Sequence, residues 1–167
     1  GFTVTDPKGC TGIVTITITE PPALVAVVNF TPILCNGGES TITITANGGT
    51  PPYSGTGDFQ RGPGTHTFPV TDAHGCPAQG SIMITEPPLL VAHATAAPLL
   101  CNGGTTTVTV TASGGTSPYT GTGTFTRGAG THTFTANDAN NCTGTATVTI
   151  AAPAAIAVTA TADPLPC

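Results

Sequence analysis

The chain has 167 residues, a formal net charge of −5 and only 7% charged residues; Lys8, Arg61 and Arg127 are its whole stock of lysine and arginine. Nucleic acid and anionic membrane surfaces are recognised by clustered Lys and Arg, so neither is expected as a partner, and no apolar run is long enough to insert into a membrane. Apolar residues make up 38% of the chain and alternate with polar ones, which separates it from low-charge disordered sequences.

One period runs through everything. Cys35, Cys101 and Cys167 stand 66 residues apart, and Cys10, Cys76 and Cys142 keep the same step, as do Phe2, Phe68 and Phe134. A unit of this length is too long for a solenoid coil and fits one small domain. The period divides the chain into four parts: 1–20, the end of a repeat; 21–86 and 87–152, two complete repeats; and 153–167, the first strand of another. This reads as a window onto a longer tandem array.

In chain order, Glu20-Pro21-Pro22 reads as a short linker that returns at Glu86-Pro87-Pro88 and, in part, at Pro153. A first strand is predicted over 23–30, with Leu24, Ala26, Val28 and Phe30 on one face. A Cys-Asn-Gly-Gly turn leads to a second strand over 41–46, with Ile42 and Ile44 inward and Thr41, Thr43 and Thr45 outward. Residues 47–52 turn the chain into a weak third strand from Tyr53 to Phe59, interrupted by Gly55 and Gly57. A fourth strand over 65–72 aligns His66, Phe68 and Val70; a hairpin at 73–75 leads to a fifth over 81–85, which buries Ile82 and Ile84. The second copy offers Val108, Val110, Phe134, Val148 and Ile150 in the same places. The period is two nearly everywhere, and no window supports a helix. The expected fold is all-β: tandem small immunoglobulin-like β-sandwich repeats, head to tail, with Greek-key connections. A meander with Glu-Pro-Pro as a hairpin turn is the alternative.

Six cysteines at two fixed places per repeat suit a thin core without Trp, which disulfides commonly reinforce. They imply an oxidising, extracellular setting. Zinc is not expected, since no Cys-x-x-Cys spacing occurs. Three pairings stay open. If repeats stack head to tail, Cys35 faces Cys142. Pairing inside a repeat joins Cys35 to Cys76 and Cys101 to Cys142. Pairing across each linker joins Cys10 to Cys35, Cys76 to Cys101 and Cys142 to Cys167.

The run Cys35-Asn36-Gly37, then Gly48-Gly49-Thr50-Pro51-Pro52-Tyr53, Gly64-Thr65-His66-Thr67-Phe68 and Asp72-Ala73-His74-Gly75-Cys76, resembles the SprB-type repeat of large Bacteroidetes surface adhesins. The resemblance covers essentially the whole chain. It implies immunoglobulin-like domains in long arrays, exported by type IX secretion and used in cell-surface filaments for gliding or attachment.

Candidate sites are few. His66 and His132 recur in register and read as structural residues bonding the loop before them. His74 and His93 have no counterpart in the next repeat and read as surface variation. Asp6, Asp72 and Asp138 precede the last hairpin, where Asp commonly accepts from its own turn amides. Asp72 and Asp138 are the calcium candidates, with Glu86 the one further carboxylate near the end of the repeat, against the six to eight oxygens that calcium takes. Tyr53 and Tyr119 follow a turn and read as packing residues. No catalytic constellation, phosphate-binding loop or cofactor motif is present, so no enzyme activity and no cofactor are expected. The threonine rows suit exposed strands, with an ice-binding face a remote alternative. Sequons at Asn29 and Asn141 are not repeated.

The resulting expectation is a structural segment of an extracellular filament or adhesin stalk, with proline linkers limiting bending. Its partners would be neighbouring repeats and laterally placed copies. The competing reading is an adhesin module whose loops bind a glycan or surface, or a stalk whose glycan-binding tip lies outside this stretch.

Overall fold

The computed structural model describes residues 1–162 and contains twelve strands and no helix among them. They are β1 (Phe2–Thr5), β2 (Thr11–Val14), β3 (Val25–Phe30), β4 (Ser40–Asn47), β5 (Gly57–Arg61), β6 (Gly64–Thr71), β7 (Pro77–Ile84), β8 (Val91–Ala96), β9 (Thr106–Ser113), β10 (Gly123–Arg127), β11 (Gly130–Asn137) and β12 (Thr143–Ile150). Each strand from β8 to β12 starts and stops 66 residues after its counterpart among β3 to β7. Identical spacing in sequence has become identical spacing in structure.

Contacts divide the chain into two compact units. The first comprises Gly1–Phe30, Thr41–Gln60 and Thr65–Met83. In it, β1 and β2 form a hairpin in register Phe2↔Val14 to Thr5↔Thr11, while β3 and β4 pair from Val25↔Asn47 to Phe30↔Ile42. One sheet has the order β3-β4-β5 and a second joins β6 to β7. The two sheets face each other through Ile42, Ile44 and Val70, each at most 1% exposed, and through Phe59 and Phe68, whose rings lie 5.0 Å apart.

The second unit comprises Thr31–Ser40, Arg61–Gly64 and the described chain from Ile84 onward. Its sheets are β8-β9-β10 and β11-β12. Val108, Val110, Phe134 and Ile150 form its buried cluster, with Ala94, Ala96, Leu99, Phe125 and Val148 packed against it. Phe125 and Phe134 stand 5.1 Å apart, and the Arg127 guanidinium covers both rings at 5.7 and 5.5 Å. The start of β12 packs directly on the start of β8: a Cβ on Gly144 would lie 2.9 Å from the Leu90 carbonyl oxygen, so only glycine permits that approach.

The predicted third strand needs correction. It is not one strand from Tyr53 to Phe59. Ser54 exchanges backbone hydrogen bonds with Thr71, at 2.8 and 3.0 Å, and so lies beside β6 in one sheet. Residues 57–61 then pair with β4 in the other sheet. The switch is made at Gly55, whose φ is +84° and whose Cβ would run into the Pro69 carbonyl; Gly121 repeats it with φ +77° against Thr135. Glycine alone tolerates both constraints. The chain thus crosses from sheet to sheet and back, as a Greek key requires, and the meander alternative fails.

Other expectations shift less. The first strand begins at Val25 rather than Ala23, and Phe30 is 50% exposed instead of facing the core. Ile82 and Val148 are half-buried, while Ile84 and Ile150 are buried. The Glu-Pro-Pro segment after β7 is not a hydrogen-bonded hairpin, since β7 and β8 belong to different sheets. Residues 153–162 form no strand, and the remainder of that expected element lies outside the described residues.

Candidate functional site

Two turns that the repeat places far apart in sequence meet within the second unit. The first follows β3. Ile33 is buried, and Gly38 N–H donates to the Cys35 carbonyl at 3.0 Å, closing a tight Cys-Asn-Gly-Gly turn. That turn holds the linker: Asn36 Nδ2 donates to the Pro87 carbonyl at 3.2 Å, and Gly37 N–H donates to Glu86 Oε2 at 2.6 Å. Two prolines fix φ and remove donors, so the linker's own carbonyls and the Glu86 carboxylate take up the turn's donors.

The second turn is the hairpin between β11 and β12. Asp138, 4% exposed, organises it. Its Oδ1 accepts from Asn140 N–H at 2.8 Å and Cys142 N–H at 2.9 Å; its Oδ2 accepts from Thr116 N–H at 2.9 Å. Asn141 takes a left-handed φ of 62°, a conformation that Asn tolerates better than most residues. Burial pushes the Asp138 carboxyl up, but the amides of Thr116, Cys142 and Asn140 outweigh it and hold it below the usual carboxylate range.

Between these turns runs a disulfide from Cys35 to Cys142, with Cα atoms 5.6 Å apart and 107 residues of separation. Asn140 Nδ2 adds a hydrogen bond to the Leu34 carbonyl at 3.2 Å and another to Thr116 Oγ1 at 3.2 Å. Cys142 Sγ lies 3.4 Å from the same Leu34 oxygen; a half-cystine has no proton to donate, so this is a packing contact. Of the three pairings left open by sequence, the structure takes the one joining successive repeats. Pairing within a repeat fails for Cys35–Cys76 and Cys101–Cys142, and pairing across the linkers fails for Cys10–Cys35, Cys76–Cys101 and Cys142–Cys167. Cys10, Cys76 and Cys101 are exposed thiols, and Cys167 lies outside the described residues.

The remaining candidates lie as follows. Asp72 repeats the Asp138 arrangement in the first unit, accepting from His74 N–H at 2.9 Å, Cys76 N–H at 2.8 Å and Thr50 N–H at 3.0 Å. The Cys76 amide is the chief cause holding its carboxyl below the usual range. Asp6 accepts from Lys8 and Cys10 amides at 2.9 and 2.8 Å. The oxygens proposed for calcium are therefore turned onto backbone amides, and Glu86 onto Gly37. Among the described residues no group of three or more His, Cys, Asp or Glu is placed to hold a metal. Tyr53 OH donates to the Gly48 carbonyl at 2.7 Å and Tyr119 OH to the Gly114 carbonyl at 2.6 Å, each across the Gly-Gly-Thr turn. His132 Nε2 lies 3.0 Å from the Gly128 carbonyl oxygen, and His66 is half-buried at the equivalent place. The threonine hydroxyls of β11 and β12 bond one another, Thr131 to Thr149 at 3.1 Å and Thr133 to Thr147 at 3.2 Å. His93 is exposed on β8. Pro21, Pro22, Pro87, Pro88 and Pro153 flank the strands without joining one.

Sequence reasoning missed the polar residues of the site. Asn36 and Asn102 repeat 66 residues apart and carried a usable signal. Asn140 stands where the previous repeat has His74, and only the fold shows that its amide reaches Leu34.

No helix among the described residues is long and apolar enough to cross a membrane. No curated protein matches the chain. The SprB repeat family model matches residues 27–54 and 93–120, each match running from β3 or β8 through the Cys-Asn-Gly turn to the sheet-switching residue Ser54 or Thr120. The chain therefore carries the SprB repeat twice, one period apart, in a family typical of cell-surface proteins.

Proposed function

We propose that this chain is a structural segment of a long extracellular filament or adhesin stalk, built to carry load along the chain rather than to catalyse. The observation that carries this reading is the bond between Cys35 of one repeat and Cys142 of the next. Within a single small domain a thin core could be stapled locally. A bond placed between repeats instead limits how far they separate. The Asn36 and Gly37 hydrogen bonds to Pro87 and Glu86 restrain the linker at the same point.

Supporting features are chemical. The disulfide favours an oxidising setting, which fits the cell surface. The two tyrosines have their hydroxyls committed to backbone carbonyls, so the repeat presents few groups with which to read a glycan. Neighbouring repeats of the same chain are the principal partners in this reading.

Electron microscopy of the native, full-length material tests it. A stiff thread with an axial period of ~30–40 Å, from strand length plus linker, is the expected result. Flexible beads or separate globules would overturn the reading.

A further inference from the structure

Cys101 repeats, one period on, the setting of Cys35. Gly104 N–H donates to the Cys101 carbonyl at 3.1 Å, as Gly38 N–H does to Cys35 at 3.0 Å. Asn102 Nδ2 donates to the Pro153 carbonyl at 2.8 Å, as Asn36 does to Pro87. A groove lies beside each cysteine, about 350 Å³ at Cys35 and about 370 Å³ at Cys101. At Cys35 one wall is the hairpin residues Asn141, Cys142 and Thr143. At Cys101 the lining is Leu100, Cys101, Asn102, Ala154, Ala155 and Ile156, with no hairpin. Leu34, whose carbonyl receives Asn140, is 54% exposed; Leu100 is 88% exposed, and its carbonyl accepts no hydrogen bond among the described residues.

The matching part is present twice more. Residues 6–10 and 72–76 form hairpins of the same construction as 138–142. Asp6 N–H donates to the Cys10 carbonyl at 2.9 Å, Asp72 N–H to Cys76 at 3.2 Å and Asp138 N–H to Cys142 at 3.1 Å. In each, the Asp Oδ1 also accepts from the cysteine amide. Cys10 and Cys76 are exposed thiols.

We propose that residues 100–102 and 154–156 form an acceptor site for the Asp-Xaa-Xaa-Xaa-Cys hairpin of a second copy of this chain, closed by a disulfide from Cys101. The contact repeats one the molecule already makes, with a polar pairing of acceptor to hairpin instead of like to like. It is a heterologous contact, which propagates end to end instead of closing a symmetric dimer. The bond forms by exchange. A hairpin cysteine first makes a mixed disulfide with a low-molecular-weight disulfide, releasing one small thiol. The Cys101 thiolate attacks the protein sulfur, the bond to the small thiol breaks, and that second thiol leaves. Two protein thiols are oxidised and one small disulfide is reduced to two thiols. The inference does not rest on the stalk reading, which microscopy tests separately.

The test incubates the chain in oxidised and reduced glutathione and maps interchain disulfides by mass spectrometry after non-reducing electrophoresis. Links from Cys101 to Cys10 or Cys76 should dominate, and Cys101→Ser should lose the covalent multimers while keeping Cys35–Cys142, which reports that the variant is folded. Predominant Cys101–Cys101 links, multimers that persist at the same level in Cys101→Ser through Cys10 and Cys76, or no multimers at all would overturn the proposal.

Discussion

Removing both halves of the disulfide, as Cys35→Ser with Cys142→Ser, tests the bond that organises this chain. The bond closes a loop of 107 residues. The chain-entropy relation assigns such a loop about 4.8 kcal/mol at 25 °C, and measured losses of native disulfides run about 2–5 kcal/mol. The hairpin should survive, because Asp138 still accepts from the amides of Asn140, Cys142 and Thr116. The loss therefore reports the crosslink and not a collapsed turn. Urea unfolding without reductant is the assay. With a urea m-value of about 1–3 kcal/mol/M, the midpoint of the transition involving residues from Ile84 onward should fall by roughly 2 M. Thiol titration of the denatured, unreduced protein gives an independent check. Each single variant should show one more titratable thiol than the parent, and the double variant the same number as the parent. An unchanged midpoint, or single variants that titrate like the parent, would refute the assignment of this bond.

Two further perturbations probe the repeat itself. Tyr119→Phe removes the hydroxyl that donates to the Gly114 carbonyl at 2.6 Å and should cost about 1 kcal/mol in urea unfolding, with Tyr53→Phe costing a similar amount; loss of less than a few tenths would mean that the bond contributes nothing net. The carboxyls of Asp72 and Asp138 are lowered in the folded state, so their contribution is fully present above the unfolded value of about 3.9 and is lost as pH falls through the folded value. Stability should decline on acidification below about pH 4, and Asp138→Asn should flatten that decline; an identical acid limb in the variant would count against the role given to Asp138.

Much of the fold is legible in the residues alone. Alternation of Ile42 and Ile44 with threonine, and of Phe68 and Val70 with polar neighbours, specifies strands and their buried faces because side chains in a strand alternate every two residues. The 66-residue step specifies two equivalent domains because equivalent residues meet equivalent local physics. Asp72 and Asp138 are legible as turn residues for the same local reason. The third strand is not. Whether residues 53–61 continue in one sheet depends on φ at Gly55, and that angle is chosen by what lies across the gap, the Pro69 carbonyl and the bridge to Thr71.

The sequence by itself determined the period, the strand content, the SprB resemblance and the oxidising chemistry of six cysteines. Only the tertiary structure decided which of those cysteines meet. Cys35 and Cys142 are 107 residues apart, and no local rule reaches across that distance. Their meeting depends on the three-dimensional path of the chain between them, which places the turn after β3 against the hairpin between β11 and β12. The same path brings Asn140 to Leu34 and Glu86 to Gly37, contacts that identical residues at other points of the chain would not make.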